Sequence, residues 1–311
     1  MKLPRGSAPS AVGLPLAAAL LWASYYIFVL AITPGTRPSA VFAYPFLFGG
    51  ALYSVWSLAQ GHGAALARVW AQPAAYLRVA LLVGMQLSVL ASTYLAGPVD
   101  TSLLSLLGDV VLTPLVVALW YSAYRSRTRS PTLWAGMALC MVGGGLTIVG
   151  NEGIAALHGW GYVVLVTIPV TVALFFLASA RENERTPASA VVAQAMLAAG
   201  VLGVAISPVL PGGLGGLLSP GAVPLLVLFA TGLTSFFLAP ALYFESIGRV
   251  GLVIPPMLMT GIPVFTALLS WVVLGIAIPW VGILGIPVAV AGALLALRAE
   301  TVNLPATSAG P

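Results

Sequence analysis

The chain has 311 residues, 60% of them hydrophobic and 6% charged, with a net charge of +5. Soluble domains carry about 25% charged residues, so seven acids and twelve bases cannot coat a soluble surface of this size. That excludes a soluble globular protein and predicts an all-α polytopic membrane protein. The single cysteine, Cys140, excludes an intrachain disulfide.

A membrane-spanning helix needs about 20 mostly apolar residues. Ten such runs follow one another, at 12–32, 39–59, 76–95, 101–122, 132–150, 159–180, 188–208, 222–242, 250–274 and 279–298. They are too long for barrel strands and do not alternate with period two. The first is too long for the core of a signal peptide and is followed by nine like it, so no cleavable leader is expected. Gly97, Pro98 and Asp100 divide the third run from the fourth. The glycine-rich stretch at 210–216 reads as a flexible connector, because a phosphate-cradling loop would need a following Lys-Ser/Thr. The tail at 299–311 is small and polar and is expected to be disordered.

Basic residues set the topology. With the N-terminus on one side, that side collects Lys2, Arg5, Arg68, Arg78, Arg125, Arg127, Arg129, Arg181, Arg185, Arg249 and Arg298, and the other holds Arg37 alone. Both termini are therefore expected in the cytoplasm, the membrane being a bacterial inner membrane. Bases scattered through short loops argue against a nucleic-acid partner.

The chain also repeats itself. Tyr94 and Pro114 recur as Tyr243 and Pro263, 149 positions later; Pro38, Gly136, Gly143 and Leu146 recur as Pro187, Gly285, Gly292 and Leu295. Residues 1–155 and 156–298 read as two five-helix copies of one module. An odd helix number makes the second copy enter the membrane from the opposite side. The expected architecture is ten transmembrane helices in two inverted repeats, which in secondary transporters place the substrate near the midplane.

Polar and aromatic residues inside the runs are the candidate site. Asp109 is the acidic residue deepest in an expected span, where insertion costs about 2.5–3.5 kcal/mol. Ser102, Ser105, Asp109 and Thr113 share one helical face. That face reads equally as a substrate-ammonium or proton site and as interhelical hydrogen bonding. Gln86 and Tyr94 lie in the third run, Thr171 and Phe175 in the sixth and Ser235 in the eighth, with Tyr243 just after it, and Gln86 maps onto Ser235 by the same offset. Trp22 lies too deep for the interfacial belt, and Tyr25 and Tyr26 follow it at spacings of three and four. Tyr44 lies within the second run. Aromatic walls suit flat apolar groups and attract ammonium groups by about 0.5–2 kcal/mol; the competing reading is aromatic filling between helices. The remaining tryptophans, Trp56 included, lie near run ends and read as belt residues. Helix prolines such as Pro114 and Pro263 are expected to bend their helices.

Tyr243, Gly251, the segment 263–271 (PVFTALLSW), Leu274, Gly275, Gly285 and Ala291-Gly292 resemble the repeat of the drug/metabolite transporter superfamily (EamA-type). Tyr94, Pro114, Gly136, Gly143 and Trp22-Ala23-Ser24 extend the resemblance to the first half. It implies ten helices and a small-metabolite exporter, most similar to the bacterial aromatic amino-acid exporters. Such repeats commonly carry a glutamate after Leu-Gly, where this chain has Ile276, and Arg127 at the matching place. A role for that glutamate is not carried over.

No HExxH, CxxC or P-loop occurs, and His62 and His158 fall in loops on opposite sides, so an enzyme is not expected. No cofactor or metal is expected either. The expected partners are the lipid bilayer and a small-molecule substrate; a proton on Asp109 and facilitated diffusion stand as alternatives for what drives it. The expected function is a secondary transporter exporting small amphipathic metabolites, aromatic amino acids foremost, by alternating access through a central cavity. The alternatives are a multidrug or lipophilic-cation exporter, and a pore or scaffold without alternating access.

Overall fold

A computed structural model of the chain describes residues 8–32, 36–96, 101, 130–146, 160–183, 185–250, 255, 258–259 and 261–302. Every regular element among them is helical. The helices are α1 (Ala8–Ile32), α2 (Pro38–Ala59), α3 (Gly63–Trp70), α4 (Pro73–Ala96), α5 (Pro131–Leu146), α6 (Trp160–Asn183), α7 (Ala188–Ile206), α8 (Gly213–Leu218), α9 (Ala222–Thr231), α10 (Ala239–Val250), α11 (Gly261–Leu274) and α12 (Trp280–Val302). A π-helical stretch, Gly232–Leu238, joins α9 to α10 into one rod. Prolines place the starts: Pro38 opens α2 at a position whose N–H has no helical partner anyway.

Five helical stretches are long and apolar enough to cross a membrane: Gly13–Ile32, Pro38–Ala59, Pro73–Thr93, Ala188–Val209 and Ala222–Ile247. Pro131–Gly143, Thr167–Ser179, Gly261–Leu274 and Trp280–Gly292 are shorter apolar helices. The expected fourth span, 101–122, lies outside the described residues except for Thr101. The count of ten thus rests on the sequence.

Helices pack in pairs: α2 on α7, α5 on α12, α4 on α6, and α1 on α10 and α11. Small residues set these approaches, because lipid tails are as apolar as Leu and helices associate in a bilayer through close packing. A Cβ on Gly50 would lie 2.5 Å from the Leu197 nitrogen, and one on Gly200 2.7 Å from that of Leu47. Gly143 and Gly292 do the same between α5 and α12, at 2.2 Å from Ala289 N and 2.4 Å from Cys140 N. The outer faces carry exposed apolar side chains, among them Val55, Leu77, Val223 and Val272, as a lipid-facing surface requires.

Two expectations about connections change. The 210–216 stretch is not an open connector: α8 folds back over the start of α2, with the Arg37 stem beneath Gly212 and Gly216. Ser39 Oγ donates to Gly213 O at 3.1 Å and so fastens it. At the other end α12 continues to Val302, past the Arg298 boundary expected for the last helix.

Candidate functional site

The rod from α9 to α10 supplies one wall of a central cavity, and the π-helical stretch is what shapes it. A π turn fits one extra residue into the helix and is often found at functional sites. Here it brings Ser235 against α1, where Ser235 Oγ donates to Leu21 O at 2.8 Å and lies 3.5 Å from Ser24 Oγ. Thr234 spends its hydroxyl on Ala230 O, one turn back. Gly232 and Gly49 let α2 close on the same stretch, since a Cβ on Gly49 would lie 2.5 Å from Phe236 Cβ.

The cavity holds about 100 Å³ of free space. Trp22, Tyr25 and Tyr26 of α1 line it together with Phe175 of α6, and Phe236 and Phe244 of the rod. Gln86 and Ser235 bring polar atoms, and Met85, Met196, Leu82 and Ile262 fill the wall between the rings. None of the described lining residues is charged.

The rings are held at fixed angles. Tyr25 meets Phe236 edge to face at 5.6 Å and 72°, and Phe236 meets Phe46 at 4.5 Å and 70°. Gln86 Nε2 donates to Tyr25 Oη across the α1–α4 boundary. Such aromatic pairs add about 0.5–1.5 kcal/mol beyond their buried area and fix the orientation of the wall.

Six of the twelve residues singled out from sequence converge here: Trp22, Tyr25, Tyr26, Gln86, Phe175 and Ser235. Tyr243 stands directly behind Trp22, their ring centroids 5.3 Å apart, as support for the wall. Thr171 is turned to its own helix, its hydroxyl donating to Thr167 O at 2.7 Å. Tyr44 is not part of the cavity lining: its hydroxyl donates to Leu217 O in α8 at 2.8 Å. The backbone of Tyr94 belongs to α4, but its side chain, Ser105 and Asp109 lie outside the described residues.

Sequence reasoning passed over three features. Phe236 and Phe244 are ordinary members of apolar runs, and only packing shows that they face inward. Trp56, read as a belt residue, also packs edge to face on Tyr53 and Phe237. Arg78, counted among the bases of the loops, is 1% exposed inside α4, with Nη1 3.6 Å from Glu182 Oε2 of α6. A cation tolerates that depth because a carboxylate stands opposite.

The fold and cavity define a multi-pass, all-helical membrane protein with an uncharged aromatic chamber among its described residues. Residues 159–298 match the EamA-like transporter family. No curated protein matches the chain. In fold it is similar to a solved crystal structure of a protein at 22% identity, with a TM-score of 0.75 over 96% of this chain and 100% of that one.

Proposed function

We propose that the protein is a secondary transporter that exports small amphipathic metabolites, with aromatic amino acids as the favoured substrates. The observation that carries this reading is the cavity itself, which six aromatic side chains line together with Gln86 and Ser235. A flat side chain packs between Trp22, Tyr25 and Phe175, while Gln86 offers an amide beside the Tyr25 hydroxyl. Export is taken from the sequence resemblance, and an inner-membrane location with both termini in the cytoplasm from the basic loops.

In this reading the chain comprises ten spanning helices in two inverted repeats, 1–155 and 156–298, that rock about the central site. Support comes from a contact that maps onto itself. Gly143 packs against Gly285 and Ala289, and Gly292 packs against Gly136 and Cys140. Each of these six residues lies 149 positions from its opposite number, as a two-fold relation between α5 and α12 requires. Energy comes from the substrate gradient or from a proton on Asp109.

A thermal-shift screen of the purified protein tests substrate class. L-Phenylalanine, L-tryptophan and L-tyrosine should each raise Tm, and L-alanine should leave it unchanged. Stabilisation by lipophilic cations alone would replace this reading with that of a multidrug exporter. Non-saturable flux of all solutes in proteoliposomes would replace it with a pore.

A further inference from the structure

Phe244 borders two cavities. One is the central chamber; the other, with about 190 Å³ of free space, lies between the end of α2, the start of α7 and α10. Phe244 is 9% exposed and meets Tyr243 edge to face at 5.5 Å and 83°, and Tyr243 in turn backs Trp22. A short relay of rings thus runs from the floor of one cavity into the wall of the other. The second cavity sits at the membrane face where the α2–α3 and α6–α7 connections lie.

The two cavities differ in charge. The described lining of the central chamber carries none, whereas Glu245, next to Phe244, lines the second cavity as an exposed side chain. Tyr53 and Trp56 line the same cavity, their rings edge to face at 5.5 Å. His62 lines it too, its Nδ1 2.9 Å from Ser189 Oγ. A carboxylate and aromatic rings in one cavity are the groups that attract an organic ammonium.

We propose that this second cavity is a separate binding site for small protonated amines with an apolar or aromatic arm, and that Phe244 partitions it from the central chamber. The proposal rests on the transport reading above for its role, as the station a substrate occupies before or after the chamber. An ammonium group loses most of its hydration on entering an uncharged cavity, which disfavours its entry. Glu245 offsets part of that loss by holding the group half-dehydrated while the apolar arm rests against Trp56 and Phe244. Phe244 lines both spaces and so stands between them.

Phenethylamine is the probe, titrated calorimetrically into the full chain in lipid nanodiscs. Two molecules should bind per chain. Trp22→Ala should remove one and Glu245→Gln the other, each weakening its own site at least tenfold. Location is checked in a Cys140→Ser background carrying Gln60→Cys at the rim. Phenethylamine should slow maleimide labelling of that cysteine about fivefold in Trp22→Ala and leave it unslowed once Glu245→Gln is added. A stoichiometry of one, abolished by Trp22→Ala and untouched by Glu245→Gln, overturns the second site. Labelling indifferent to the probe overturns it too. Absence of saturable phenylalanine flux, with both binding steps intact, overturns the transport reading and leaves the second site standing.

Discussion

Gly143 of α5 and Gly292 of α12 lie 149 residues apart and occupy equivalent places on the two sides of one contact. A methyl on Gly143 would lie 2.2 Å from Ala289 N, and one on Gly292 2.4 Å from Cys140 N. Between them Cys140 Sγ reaches Ala289 O at 3.4 Å, again across 149 positions. Both obstacles are backbone nitrogens in rigid helices, so neither can swing aside as a side-chain tip does. Gly143→Ala and Gly292→Ala should each cost about 1–3 kcal/mol through overpacking. The double variant should cost less than the sum, since one parting of the helices relieves both clashes. Thermal unfolding in detergent measures this. An unchanged Tm in both single variants would contradict the close approach.

Trp22 and Tyr25 form the α1 side of the chamber. Trp22→Ala and Tyr25→Ala should raise KM for phenylalanine and tryptophan about tenfold, the equivalent of about 1.4 kcal/mol. For any small solute that is carried, the rise should be at most about twofold, again on the scale set by that conversion. Proteoliposome flux compares the two. Equal losses for large and small solutes would assign both residues to packing alone.

Gln86 donates to Tyr25 Oη within the buried α1–α4 boundary. Gln86→Leu leaves the hydroxyl without that donor and should cost about 1–3 kcal/mol in stability. Adding Tyr25→Phe should recover part of the loss, because both polar groups are then gone. Unfolding of the two single variants and the double variant completes the cycle.

Arg78 is buried in α4 with Glu182 of α6 opposite, and its Nε and Nη2 have no hydrogen-bond partner. Glu182→Gln removes the compensating charge and should cost about 3 kcal/mol. Replacing both, as Arg78→Met with Glu182→Leu, should restore most of the stability because no buried charge remains. If Glu182→Gln melts like the parent protein, the pair is not what makes Arg78 tolerable at that depth.

Asp109 is the proton candidate of the proposed mechanism. A pH gradient should accelerate phenylalanine transport in the parent protein, and Asp109→Asn should abolish that response while leaving downhill exchange. Flux indifferent to the gradient in both proteins would establish facilitated diffusion.

Composition and run length were sufficient to define an apolar, all-helical membrane chain, because a bilayer imposes helix length and polarity directly on the sequence. The six site residues that converge were legible for a related reason. Trp22 is too deep for an interface, and Gln86 and Ser235 are polar where polarity is costly. Tyr44 carried the same mark, yet its hydroxyl is taken up by Leu217 O in α8, a partner 173 positions away that no periodicity reveals. Phe236 and Phe244 carried no mark at all, since a ring in an apolar run costs the same whether it faces lipid, a neighbouring helix or a cavity. Tertiary packing decides among those three. The glycines at 49 and 232, together with the π turn, close the rod against α2 and turn its rings inward. Apolar composition places this chain in a membrane and marks the polar groups that are costly there. Which rings face one another, and so where a substrate has room, depends on how the helices pack.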